Sequence, residues 1–270
     1  MNDWPEFAAR LRSTGQYRTP PDVARSRTDR MLGRFDWYYH LLVVDRVWRG
    51  GELAKRGRMT DPEWGQKCLD VIHCVERCGG KVQIEIPEAT RTCTPCVYVG
   101  NHMSVLETIT LPSVLLAFGH PTIVVKEALL RYPALCHTLR AVEPIAVTRT
   151  DPRDDLKTVL TKGAESLEAG RSVLVFPQAT RSLVFDPSTF NSLGVKLAAR
   201  AGVPVVPLAL KTDFSGIGPI VKELGRIDRE KTVHFRFGEP LDASSGGKAT
   251  HAAVVDFIAA SVREWGGVVA

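Results

Sequence analysis

The sequence predicts an α/β fold: a mixed, mostly parallel sheet layered with helices and preceded by an N-terminal helical segment. Short apolar runs rich in β-branched residues alternate with helix-like patterns from residue 81 onward, the rhythm of strand–helix units. The 270 residues suit one large α/β domain, or such a domain fused to a smaller helical segment, because single cores stop growing at roughly 250 to 300 residues. With 44% hydrophobic and 24% charged residues the composition is that of a globular chain, which excludes wholesale disorder or a fibrous fold.

The chain changes character at Gly50–Gly51 and again near Thr60, dividing into a helical segment over 1–59 and an α/β domain over 60–270. Thr60-Asp61-Pro62-Glu63 reads as a helix start: threonine caps, proline occupies the first turn and Glu63 reaches back. That helix runs to Gly79–Gly80. Strands are expected at Lys81 to Ile86, Cys96 to Gly100, Thr122 to Val125, Pro144 to Thr148, Ser172 to Pro177 and Pro204 to Leu210. Helices are expected over 104–118, 126–140, 152–169 and 190–201, then a late strand Thr232 to Phe237 and a closing helix over 251–265.

The formal net charge of +5 is concentrated early: through Arg58 there are twelve Lys or Arg against seven Asp or Glu. Phe35, Trp37, Tyr38, Tyr39 and Trp48 interleave with these cations, among them Arg34, a pattern suited to an anionic membrane surface. A helix packed on the core with solvated arginines fits the same pattern. No run approaches the roughly 20 apolar residues needed to cross a bilayer. The polar, arginine-rich start is unlike a signal peptide, so the six cysteines are expected to be reduced thiols in a cytoplasmic protein. Cys74, Cys78, Cys93 and Cys96 imitate a zinc spacing but fall on a helix and a strand, so no metal is expected. His73, His120, His137, His234 and His251 lack a carboxylate in a comparable turn and read as surface or core residues. Gly-x-Ser-x-Gly and glycine-rich phosphate loops are absent, and the basic excess comes with no nucleic-acid recognition module.

Ligands in open α/β sheets bind beyond the carboxyl ends of the strands, which directs attention to Asn101-His102-Met103-Ser104-Val105-Leu106-Glu107. On one continuous helix five residues turn by about 500°, leaving His102 and Glu107 about 140° apart. With His102 in the turn before the helix and Glu107 in its first turns, one ring nitrogen can instead donate to the carboxylate while the other stays a free base. This is the base and orienter of a catalytic triad without a protein nucleophile. Other expected strand ends carry Val147-Thr148-Arg149 and Phe176-Pro177-Gln178-Ala179-Thr180-Arg181-Ser182, where hydroxyl, backbone and guanidinium groups can hold a phosphate.

These blocks, with Val203-Pro204-Val205-Val206-Pro207, resemble the four ordered motifs of the phospholipid/glycerol acyltransferase family over about residues 80 to 241. Lys126 and Pro133 also stand where that family tends to have them. The resemblance implies a lysophosphatidic acid acyltransferase-like enzyme at the inner membrane surface, with acyl-CoA or acyl-ACP as co-substrate, no metal or prosthetic group and no nucleic acid. His102 and Glu107 would be catalytic, and Arg149, Thr180, Arg181, Ser104, Lys126 and Gln178 would meet substrate. Backbone N–H groups near Ser104 are expected to meet the oxyanion. The chain departs from the pattern at Glu107, usually aspartate, and at Gln178 and Ala179, usually glutamate and glycine. These departures bear on the acceptor more than on the reaction, so a different acceptor and a catalytically silent lipid-binding relative stand as alternatives.

Overall fold

The structure, a computed structural model, describes residues 3–32, 36–133, 135–244 and 247–270. Arg34 and Phe35, counted above among the basic and aromatic residues, lie outside the described residues. The N-terminal part contains α1 (Trp4–Thr14), β1 (Gln16–Arg18), α2 (Arg27–Leu32) and α3 (Trp37–Lys55). There follow α4 (Asp61–Arg77), β2 (Lys81–Glu85), α5 (Glu88–Arg91), β3 (Val97–Gly100), α6 (Leu106–Leu115), β4 (Thr122–Lys126), α7 (Cys136–Ala141), β5 (Ile145–Val147) and α8 (Pro152–Glu168). The remainder is β6 (Val173–Val175), β7 (Val184–Phe185), α9 (Leu193–Ala201), β8 (Val205–Lys211), β9 (Thr232–Phe237), α10 (Gly247–Glu264) and β10 (Val268–Val269).

Eight strands form one sheet in the order β1-β2-β9-β8-β3-β6-β4-β5. Pairing is parallel from β8 through β3, β6 and β4 to β5, while β8 meets β9 and β2 meets β1 antiparallel. The mixed, mostly parallel sheet is therefore as the sequence predicts. Strand alternation sends Tyr98, Leu174, Val206 and Leu208 into one apolar layer and Val97, Val99, Val173 and Val205 into the other. The first layer also takes in residues of α1, α4 and α6; the second takes in residues of α8, α9 and α10. Five parallel strands consequently end on a single rim, carrying His102, Lys126, Arg149, Gln178 and Thr212 just at or beyond their last residues.

The capping box at Thr60 and Glu63 is present and starts α4. The single helix expected over 126–140 is instead a 3-10 turn, Glu127–Arg131, followed by the short α7. Tyr132 is extended (φ −74°, ψ 118°), because the ring of Pro133 disfavours helical backbone in the residue before it. Strand β1 carries no clear sequence signal, since only Tyr17 of its three residues faces inward.

Helix α1 crosses α4 where the latter has no side chain. A Cβ on Gly65 would lie 2.5 Å from the indole of Trp4, whose Nε1 donates to the Ser113 carbonyl at 2.8 Å. Gly65→Val is expected to lower stability by about 2 kcal/mol, opposite in sign to the usual helical cost of glycine, because the buried indole has nowhere to go. A urea melt checks this, and an unchanged midpoint would show that the α1–α4 contact gives way.

Candidate active site

Chain departure from β3 is fixed by Asn101. Its buried amide donates to the Leu210 carbonyl and accepts the Leu210 N–H, both at 2.8 Å, so a side chain continues the ladder to β8 where the backbone turns away. His102 follows. Its N–H donates to Gln178 Oε1 at 2.6 Å, its carbonyl accepts from the Ser182 N–H at 3.0 Å, and its ring stacks on Phe176 at 4.5 Å and 13°. The loop after β6 thus holds the residue 102 backbone at two points and stacks on its ring, which remains 17% exposed.

Because α6 begins only at Leu106, Glu107 sits in its first turn and points back at the loop. Its Oε1 lies 2.9 Å from His102 Nδ1 and accepts the N–H groups of Met103 (2.6 Å) and Ser104 (2.7 Å). Oε2 accepts from Thr212 Oγ1 at 2.5 Å and lies 3.0 Å from Ser104 Oγ. Full burial would raise this carboxyl, but the hydrogen bond and charge of His102, with the Thr212 hydroxyl, hold it below the ordinary range. An ionised acceptor requires the proton on Nδ1, and in the neutral imidazole that leaves Nε2 with its lone pair.

The two N–H groups expected to meet an oxyanion near Ser104 are therefore turned inward on Glu107. Ser104 itself, expected among the substrate contacts, is 2% exposed and shares its hydroxyl between Glu107 and Thr212. Gln178 is likewise 6% exposed, with its oxygen on the His102 backbone. An amide supplies that acceptor as well as a carboxylate does, and what the substitution removes is charge.

Arg149 has φ +61°, a left-handed backbone unusual for a side-chain-bearing residue. Asp155, in the first turn of α8, holds that bend by accepting the N–H groups of Thr148 (2.8 Å) and Arg149 (2.7 Å). The guanidinium crosses to the Ala179 carbonyl, which brings Arg149 onto the loop that carries Thr180 and Arg181. Thr180 is exposed, Arg181 is paired with Glu223 at 2.6 Å, and Lys126 is exposed at the end of β4. A cleft of about 670 Å³ is lined by Arg149, Phe176, Gln178, Ala179 and Lys196 among others; it reaches Phe176 and Gln178, which touch His102, but not the dyad itself. Apolar side chains including Trp64, Val71, Ile109 and Leu139 line a smaller cavity of about 70 Å³ on the other face of the sheet.

Asn101, Asp155, Thr212 and Glu223 carry roles that local sequence does not reveal. His120, read as a surface or core residue, has Nδ1 2.6 Å from Asp61, a carboxylate 59 positions away. That pair sits before β4, at the rim opposite His102. All six cysteines are free, and among the described residues no group of three or more His, Cys, Asp or Glu is placed to hold a metal.

Residues 81–211 match the family model described as Acyltransferase. The 1-acyl-sn-glycerol-3-phosphate acyltransferase of Pseudomonas aeruginosa is 38% identical over 116 residues, 43% of this chain and 44% of that protein. The chloroplastic 1-acyl-sn-glycerol-3-phosphate acyltransferase LPAT1 of Arabidopsis thaliana is 32% identical over 131 residues, 48% of this chain and 36% of that protein. The chain thus spans less than half the length of these curated relatives. The crystal structure of the 1-acyl-sn-glycerophosphate (LPA) acyltransferase PlsC from Thermotoga maritima superposes with a TM-score of 0.60. It covers 88% of this chain and 97% of that one at 20% identity, a likeness of fold.

Proposed function

The chain belongs to the phospholipid/glycerol acyltransferase family through residues 81–211, and on that premise we propose that it is an O-acyltransferase that acylates a lysophosphatidic acid-like acceptor. The donor is the thioester of acyl-CoA or acyl-ACP. The observation that carries the reading is the dyad, with Nδ1 of His102 2.9 Å from a buried, ionised Glu107 and the ring at an open rim. An imidazole so oriented has a base at Nε2 and no protein nucleophile to activate, which suits a reaction whose nucleophile arrives with the substrate.

In the proposed cycle the acceptor hydroxyl gives its proton to His102 Nε2 while its oxygen bonds to the thioester carbonyl carbon. Glu107 balances the imidazolium that results. Collapse of the tetrahedral adduct breaks the C–S bond, and the departing sulfur takes the proton from Nε2. The ester and a free thiol leave; neither metal nor prosthetic group is required. Arg181, Thr180 and Arg149 supply a cationic, hydroxyl-bearing loop for the acceptor's phosphate.

Association with the inner membrane surface is part of the same reading. No helix among the described residues is long and apolar enough to cross a membrane. Helix α3 instead exposes Trp37 (47%), Leu41 (56%), Val44 (49%) and Trp48 (53%), four positions on one helical face. Tyr39, grouped with these aromatics in the sequence, faces the core at 2% exposure, and Arg25 and Arg46 are engaged by Asp29 and Asp45.

The test is thiol release by the purified chain from acyl-CoA with lysophosphatidic acid in vesicles, beside neutral and amine acceptors. Release that depends on the lysophosphatidic acid supports the proposal; release only with another acceptor transfers the reading to that acceptor. No release with any acceptor, despite vesicle binding, favours a silent lipid-binding relative. Arg181→Ala is expected to raise the acceptor KM about tenfold or more, as loss of a charge-assisted phosphate contact does, with the thioester KM unchanged. Equal changes in both would remove Arg181 from the phosphate role.

A further inference from the structure

We propose that Glu223 is a carboxylate latch on the phosphate site, released when the loop around it meets a lipid surface. This rests on the acceptor role assigned to Arg181 above. In the free protein that guanidinium already holds an anion: Nη2 donates to Glu223 Oε1 at 2.6 Å, with the arginine side chain only 19% exposed. Burial by itself would raise the Glu223 carboxyl, yet the hydrogen bond and charge of Arg181 hold it below the ordinary range. A carboxylate and a phosphate both offer anionic oxygens that accept from a guanidinium, so the two compete for one site.

Among the described residues, Glu223 rides on a loop whose backbone is bonded to the rest of the fold only at its base. At the base, Ser215 bridges to Ile227, Gly216 N–H donates to Arg226 at 2.9 Å, and Asp228 N–H donates to Phe214 at 2.8 Å. The base is also docked on the start of α3, where His40 Nε2 lies 2.8 Å from the Gly225 carbonyl. Backbone bonds at the tip are internal, from Gly218 N–H to Lys222 and from Leu224 N–H to Val221. The Arg181–Glu223 ion pair ties the tip to the rim.

What the tip shows to solvent indicates what displaces it. Ile220 is 93% exposed, Val221 42% and Leu224 49%, while Lys222 is exposed and the Arg226 side chain fully so. Leu224 and Arg226 share a surface cleft of about 460 Å³ with Trp37, Leu41 and Val44, so the tip continues the apolar stripe of α3. Apolar side chains flanked by cations match an anionic bilayer interface, where the hydrocarbon enters and the charges meet headgroups. Drawing Ile220 and Val221 into that interface pulls Glu223 from Arg181 and clears the site where lipid-borne phosphate arrives. While the latch is closed, apparent phosphate affinity is lowered by the fraction of molecules that are open.

The experiment uses the full chain and begins with inorganic phosphate titrated calorimetrically. Glu223→Ala is expected to tighten phosphate about fivefold, the size of one partly exposed ion pair, and Arg181→Ala in that background to abolish the gain. Unchanged phosphate affinity in Glu223→Ala overturns the latch. A second arm compares thiol release with short-chain monomeric lysophosphatidic acid and with the same acceptor in phosphatidylglycerol-containing vesicles. The vesicle preference of the native chain should fall about fivefold in Glu223→Ala and in Ile220→Ser, the latter with phosphate titration unchanged. Retained preference in both variants overturns the coupling to lipid. Should the native chain release no thiol at all, the proposed function fails while the phosphate titration still decides the latch.

Discussion

Replacing His102 with alanine is expected to lower kcat about 10³-fold, within the range general-base removal gives, while both KM values stay within about twofold. The asymmetry follows from where the ring sits. In the proposed cycle its Nε2 acts on a proton that moves only in the transition state, whereas the acceptor's phosphate is assigned to the arginine-bearing loop. Local structure should survive, because Glu107 keeps the N–H groups of Met103 and Ser104 and the Thr212 hydroxyl. The backbone of residue 102 keeps its bonds to Gln178 and Ser182. Thiol release at saturating substrate, read beside a thermal melt that moves by only a few degrees, measures this. Turnover within tenfold of the native chain, in a folded variant, would mean that another group takes the proton, and the dyad would be a structural cap on α6.

How far this site was legible in sequence depends on how its parts are tied together. The relation of His102 to Glu107 is local: five positions, a strand before and a helix after, so geometry alone excludes one continuous helix and leaves the folded-back turn. The place of the arginines is legible for a related reason, since Arg149 follows β5 by two residues and Arg181 lies in the loop after β6. Thr212 is hidden because it meets Glu107 from 105 residues away, and only the placement of β8 beside β3 brings it there. Glu223 is hidden more deeply, in a loop with no periodic pattern. The helix starts at Leu106 rather than at 104, so the amides of Met103 and Ser104 lie in the turn before it and close on Glu107 instead of facing a ligand. Strand β1 escapes notice because three residues with one inward side chain carry too little alternation to register.

Glu107→Gln isolates what the charge contributes. Five polar groups converge on the carboxylate, and an amide can satisfy them all without moving. Its oxygen takes the place of Oε1 and accepts from His102 and the two backbone N–H groups. Its nitrogen faces Ser104 and Thr212, whose hydroxyls rotate to accept. The ring therefore keeps its orientation and its Nδ1 proton, and Nε2 remains a base. What disappears is the negative charge 2.9 Å from the imidazolium formed when the acceptor is deprotonated. In a buried setting that interaction is poorly screened, and its loss is expected to lower kcat on the order of 10²-fold with folding intact, less than a change that also reversed the tautomer. Glu107→Ala makes the contrast, because it strands the buried N–H groups of Met103 and Ser104 and is expected to cost about 2 kcal/mol or more of stability besides activity. A Glu107→Gln protein with native turnover would show that Glu107 only shapes the turn. One with a strongly lowered melting point would show that the hydroxyls of Ser104 and Thr212 are not free to rotate.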